Sequence, residues 1–114
     1  MKIKQIQKME RPEAKLQEAG INKLTIQGWF CKPTHGSIFQ AGFPDVFVTH
    51  SRYGMRWIEF KIEKHYRFTA AQLEEFPKFA ANGTGIWICT DIAQLPGLLF
   101  KPQNWYYYLK EMKA

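Results

Sequence analysis

Three charged residues stand at positions that a folding core does not explain: Asp45, Glu59 and Lys61. In the segment Arg56-Trp57-Ile58-Glu59-Phe60-Lys61-Ile62, the side chains of an extended strand alternate between two faces. Ile58, Phe60 and Ile62 take one face, which must be core. Trp57, Glu59 and Lys61 take the other, which reads as the wet side, so Lys61 should be replaceable without loss of folding. Asp45 follows Pro44 and begins the preceding β-rich run, Val46-Phe47-Val48-Thr49. Ser51-Arg52-Tyr53-Gly54 is a turn signal, and the two runs read as a hairpin. If residues 50–54 form the loop, Asp45 lies opposite Glu59. If only residues 52–54 do, Asp45 faces Lys61 and is diagonal to Glu59. Directly opposed residues of an antiparallel pair share a face about 5 Å apart, so both registers gather the three charges. Two carboxylates this close repel unless a cation sits between them. A hard divalent ion serves, and Mg²⁺ binds through one or two carboxylates plus phosphate and water. A neighbouring lysine can then stabilise charge developing on a phosphate or orient an attacking water. The plainer alternative is the polar face of an ordinary antiparallel sheet.

The elements that must hold these residues follow from the surrounding sequence. Pro12 suits the first turn of a helix, and Glu13 to Ala19 continue as strong helix formers. Gly20 either ends that helix or is tolerated in one running to about Leu24. Trp29 to Lys32 is a short strand candidate, and residues 33–37 form a loop. Gly42-Phe43-Pro44 is a turn leading directly into Asp45. Thr69-Ala-Ala-Gln72 fits a capping box, opening a helix toward Asn82-Gly83 that is kinked or restarted at Pro77. Gly85 to Thr90 is a further strand, and Leu98-Leu99-Phe100 reads as another. Asn104 to Lys113 suits a closing helix, although Trp105 to Tyr108 equally suits a strand. The order is α-β-β-β-α-β, followed by a tail.

Gly42-Phe43-Pro44-Asp45, followed by Glu59-Phe60-Lys61, resembles the PD-(D/E)XK nuclease signature. Glu13-Ala-Lys-Leu-Gln17 in the first helix, His35-Gly36-Ser37 before the Gly-x-Pro-Asp turn, and Gln72 after the ExK strand bring it closer to the virus-type replication-repair nuclease (VRR-NUC) branch. The resemblance spans about residues 10–92. It implies an α/β, restriction-endonuclease-like core with a mixed central sheet flanked by helices. It further implies a Mg²⁺- or Mn²⁺-dependent endonuclease hydrolysing phosphodiester bonds in DNA, selective for a junction, flap or nick in replication, repair or recombination. Carried over, Asp45, Glu59, the backbone carbonyl of Phe60 and Glu13 hold metal, Lys61 assists the attacking water, and Gln72 supports the site. Gln72 is also claimed by the capping box, and Glu10 and Glu18 are rivals to Glu13. Lys64, His65 and Arg67 follow the ExK strand and would grip phosphates there, the alternative being a polar connecting loop. His35 and Ser37 lie in a loop where substrate contacts would occur if it faces the site, the alternative being an ordinary loop histidine. Similar stand-alone domains imply a possible homodimer. Two other classes compete: a nucleic-acid-binding module on the same fold that does not cut, and a structural protein whose charges form a surface salt-bridge cluster.

Length and composition bound these readings. The 114 residues make one domain, 1–114, with a core at about 10–92 and a C-terminal extension over 93–114 that carries no family match. A hydrophobic content of 46% excludes a disordered tail. Net charge is +6, with the excess in the first two thirds of the chain, which favours a polyanionic partner. Apolar runs such as Gly85 to Cys89 are too short to span a bilayer. No apolar run follows Lys2, Lys4 and Lys8, so the expected location is the cytoplasm, or the host cytoplasm for a phage or other viral protein. Cys31 and Cys89 lack the spacing of a zinc site and read as reduced thiols. Trp29, Trp57 and Trp87 read as packing residues, and Tyr106, Tyr107 and Tyr108 cannot all face inward.

Overall fold

Pro12, whose missing N–H costs nothing in a first turn, opens helix α1 (Pro12–Ile26) in the computed structural model, which describes residues 12–34, 42–63 and 67–108. Strands β1 (Phe30–Pro33), β2 (Val46–His50) and β3 (Gly54–Phe60) follow, then α2 (Ala70–Ala81) and β4 (Ile86–Cys89). The strands form one mixed sheet in the order β1-β2-β3-β4. The first three are antiparallel neighbours, and α2 carries the chain over to β4, parallel to β3. This is the expected α/β architecture, a mixed sheet flanked by helices.

Alternation divides the core in two. Val46, Val48, Ile58 and Phe60 point toward α1 and meet Leu24 and Trp29. Ile86 and Ile88 point the other way and pack with Phe68 and Phe76 beneath α2, with Trp57 and Phe79 against them. Gly20 lies inside α1 rather than ending it. A Cβ there would stand 2.7 Å from the Phe60 ring, so the glycine lets helix and sheet approach. The hairpin closes through Ser51-Arg52-Tyr53, with His50 paired to Gly54.

Beyond β4 the structure departs from the sequence reading. Leu98-Leu99-Phe100 is not a strand: Ile92–Leu99 is a 3₁₀ segment, begun by Asp91, whose side chain accepts from Ala93 N at 2.9 Å. Its Leu95 and Leu98 are fully buried in the α1-side core. Pro77 does not restart α2, which runs through it unbroken. Residues 105–108 are helical, with Tyr106 and Tyr107 exposed and Tyr108 half-buried. Just before them Asn104 lies along the free edge of β4. Its Oδ1 accepts from Ile88 N at 2.5 Å, its Nδ2 donates to Ile88 O at 3.0 Å, and its own N–H donates to Ile86 O at 3.0 Å.

Cys31 and Cys89 are free thiols on opposite edge strands, and burial pushes Cys89 up to about 12. No helix among the described residues is long and apolar enough to cross a membrane.

Candidate active site

The register resolves the alternative left by the sequence. Val46 pairs with Ile58, so Asp45, one residue before β2, stands opposite Glu59. Crossed bonds hold the pair. Asp45 N donates to Glu59 Oε1 at 3.1 Å, and Phe60 N donates to Asp45 Oδ2 at 2.9 Å. The turn before Asp45 is equally constrained. Gly42 has φ +87°, and a Cβ on it would lie 2.6 Å from Glu75 Cγ in α2. Pro44 is buried, and Thr34, just beyond β1, ties the backbone down. Its hydroxyl donates to Pro44 O at 2.7 Å and Asp45 O at 3.0 Å, and its N–H donates to Asp45 O at 2.7 Å. Thr34 is a positioning residue the sequence reading missed. The only signal was its place at the end of a short strand that had to pair beside Asp45.

The face carrying Glu59 and Lys61 is not wet. Glu59 is 2% exposed and Lys61 5%. The α2 crossover covers this face, so the polar side of β3 is closed in. Gln72 in the first turn of α2 completes a small network. Its Nε2 donates to Glu59 Oε2 at 2.8 Å, and its Oε1 accepts from Lys61 Nζ at 3.0 Å and from Thr69 N at 3.1 Å. Thr69 Oγ1 in turn accepts from Gln72 N at 3.0 Å, completing the capping box. The competition expected for Gln72 does not arise, because the amide oxygen caps the helix while the amide nitrogen reaches Glu59. Lys61 Nζ also donates to Arg67 O at 2.6 Å, lies 3.4 Å from Glu59 Oε2, and sits over the Phe68 ring.

Burial dominates the electrostatics. It raises the Glu59 carboxyl to about 8, helped by the charge of Asp45 and opposed by Lys61 and Gln72. It raises Asp45 to about 6, against the bond from Phe60 N and the charge of Lys61. Glu13, exposed in the first turn of α1, is near enough for its charge to push Asp45 the same way. Asp45, Glu59, Lys61 and Gln72 thus come together, with Glu13 acting by charge. No group of three or more His, Cys, Asp or Glu side chains that would hold a metal occurs among the described residues. Arg67 is exposed at the rim. Lys64, His65, His35, Ser37 and Glu10 lie outside the described residues.

A solved structure of a VRR_NUC domain superposes on this chain with a TM-score of 0.65, covering 76% of this chain and 92% of that domain. The chain has the VRR_NUC fold. Sequence identity over the match is 20%, and the sequence matches no protein-family model and no curated protein. What carries from the VRR_NUC likeness is therefore the arrangement of strands and helices. The four-residue network stands on its own distances.

Proposed function

We infer that the protein is a divalent-metal-dependent endonuclease that hydrolyses phosphodiester bonds in DNA and selects its substrate by structure, at a junction, flap or nick. The direct opposition of Asp45 and Glu59 carries this reading. Two carboxylates are locked side by side on a covered sheet face, with both protonation equilibria displaced upward by burial and Glu59 displaced further by its partner's charge. Perturbed pairs of this kind concentrate at functional sites. Hard oxygen donors in this number suit Mg²⁺ or Mn²⁺. Asp45, Glu59 and the Phe60 carbonyl would hold the ion, with Glu13 beside them. The chemistry supplied by an ion held there would be Lewis-acid polarisation of the phosphodiester and easier deprotonation of the attacking water. The chain's own residues do the rest. Gln72 and Lys61 fix the rotamer of Glu59, and Lys61 holds a positive charge where negative charge grows on the phosphate. Lys64, His65, Arg67, His35 and Ser37 would grip the flanking DNA. A domain of this size has limited surface for reading bases, which favours structure over sequence. A homodimer would match a two-fold junction, and the cytoplasm, or that of a host, is where such a substrate is met.

One observation favours a second reading, a nucleic-acid-binding module that does not cut. The Lys61 ammonium is already engaged by Arg67 O and Gln72 Oε1, as a purely structural cation would be. Incubation with a panel of labelled DNA structures, with Mg²⁺ or Mn²⁺ and a chelator control, separates the two. Metal-dependent cleavage supports the nuclease. Tight Mn²⁺ binding without cleavage supports the binding module. No metal binding leaves only a salt-bridge cluster.

A further inference from the structure

The sheet face that carries Asp45 and Glu59 is only partly covered. Strand pairing sets its other members: Trp57 opposite Phe47 opposite Lys32, and Met55 opposite Thr49 opposite Phe30. The Trp57 ring leans on Phe79 of α2 at 6.1 Å on one side and meets Phe47 edge-on at 5.2 Å on the other. Past Phe47 no described residue covers the face. Phe30 is 62% exposed and Met55 57%, so two large apolar side chains flank Thr49 on an open face, with Lys32 exposed among them. Adjacent exposed apolar side chains on one sheet face mark a binding surface more often than single scattered ones do.

Position and charge choose among occupants. The patch continues directly from the carboxylate pair. At about 3.3 Å per residue, Phe47 lies roughly 7 Å and Thr49 roughly 13 Å along the strand from Asp45. That is within reach of the few nucleotides beside a phosphate held at the pair. The chain carries +6 and the patch includes a lysine and no carboxylate. Aromatic and thioether side chains on an open sheet, with a cation beside them, suit unpaired bases, whose faces stack while the backbone stays near the charge. Bases paired in a duplex have no free face to offer.

We propose that Phe30, Phe47 and Met55 form a stacking platform for unpaired bases next to the cleavage site, so that the substrate class is DNA with a single-stranded segment at the cut. This rests on the nuclease reading for the cleavage site, but the platform's ability to bind does not. The test uses the full chain, Phe30→Ala/Met55→Ala, and Phe30→Tyr. An oligonucleotide bearing a fluorescent adenine analogue is titrated in chelator, where quenching reports stacking. Single-turnover cleavage of a flap and of a nicked duplex is then followed with Mn²⁺, and light scattering gives the oligomeric state. The expected result is that wild type quenches the probe and prefers the flap. The double variant should lose quenching and slow on the flap by about tenfold or more, with nicked-duplex cleavage unchanged, and Phe30→Tyr should behave as wild type. Equal rates on both substrates, unaltered by the double variant, would overturn the platform and leave the nuclease standing. Quenching lost in the double variant, with no cleavage by wild type, would keep the platform and remove the nuclease. A double variant that changes from dimer to monomer and slows on both substrates alike would make the patch an interface between copies and overturn the proposal.

Discussion

Gln72 donates its side-chain amide to Glu59 at 2.8 Å from the first turn of α2, at the start of the crossover that leaves the strand it serves. The same side chain accepts from Thr69 N, so the helix start and the carboxylate are set by one rotamer. Replacing the amide separates the two duties. Gln72→Glu keeps an oxygen for the cap, since glutamate serves this position of a capping box as well as glutamine, but it turns a donor toward Glu59 into a third carboxylate. The melting temperature should change little near pH 6, while the pH–rate profile moves upward by a unit or more. Gln72→Ala should lose the half of the capping box that serves Thr69 N and cost about 1–3 kcal/mol for the Lys61 and Glu59 groups left without their partner. A Gln72→Glu enzyme with an unshifted profile would mean that Gln72 is a cap alone.

Lys61 is no surface lysine, and this changes what its removal should do. Lys61→Ala takes the donor from Arg67 O and one of two donors from Gln72 Oε1, at a cost of about 1–3 kcal/mol, and the cost grows as pH rises toward the range where the buried Glu59 ionises. Divalent ions should rescue the variant's stability more than they raise that of wild type, because both carboxylates remain. Single-turnover cleavage should still fall by about a hundredfold or more at saturating metal, since the lost charge acts on the transition state. A metal-saturated Lys61→Ala protein cutting at the wild-type rate would leave Lys61 with a structural role only.

The carboxylate pair makes a metal-free protein less stable as pH rises. Both groups titrate higher in the folded chain than unfolded, so the folded state holds more protons between the ordinary carboxylate range and about 8. Unfolding then releases protons, and stability falls through this window by up to about 1.4 kcal/mol per pH unit for each proton. Thermal melts in chelator should therefore decline from pH 5 to pH 8, and Glu59→Gln should flatten the decline. A melting temperature that rises across that range would contradict the burial of the pair.

DNA binding should weaken steeply with salt, as phosphate contacts release counterions. Arg67→Ala should lower the slope of log affinity against log salt by about one, without changing which DNA structure is preferred. Salt-independent binding would make the +6 charge incidental.

What could be read from the sequence was the side-chain pattern; what could not was the layer above it. Alternation in Arg56 to Ile62 correctly placed Glu59 and Lys61 opposite Ile58 and Phe60. It did not tell whether that face was covered, because α2 arrives there only through a parallel crossover to β4. The hairpin register stayed open between two turns until the pairing of His50 with Gly54, at φ +87°, closed it. Leu98-Leu99-Phe100 looked like a strand by composition, whereas Pro96 and Gly97 just before it suit a tight 3₁₀ turn, and Leu95 and Leu98 are buried in the α1-side core while Leu99 and Phe100 are exposed. Gln72 looked like a choice between two roles because the motif assigns a side chain one bond, while an amide has two ends.

Asn104 has a consequence of another kind. A side-chain amide presents the same donor and acceptor as a peptide group, so at Ile88 it imitates one residue of a fifth strand. An uncovered strand edge is a template on which another molecule's chain can lie. By filling that template, Asn104 keeps the backbone groups of Ile88 and the carbonyl of Ile86 paired within the chain. Shortening the chain before Asn104 would leave the edge of Ile86, Trp87, Ile88 and Cys89 open to pairing with another chain.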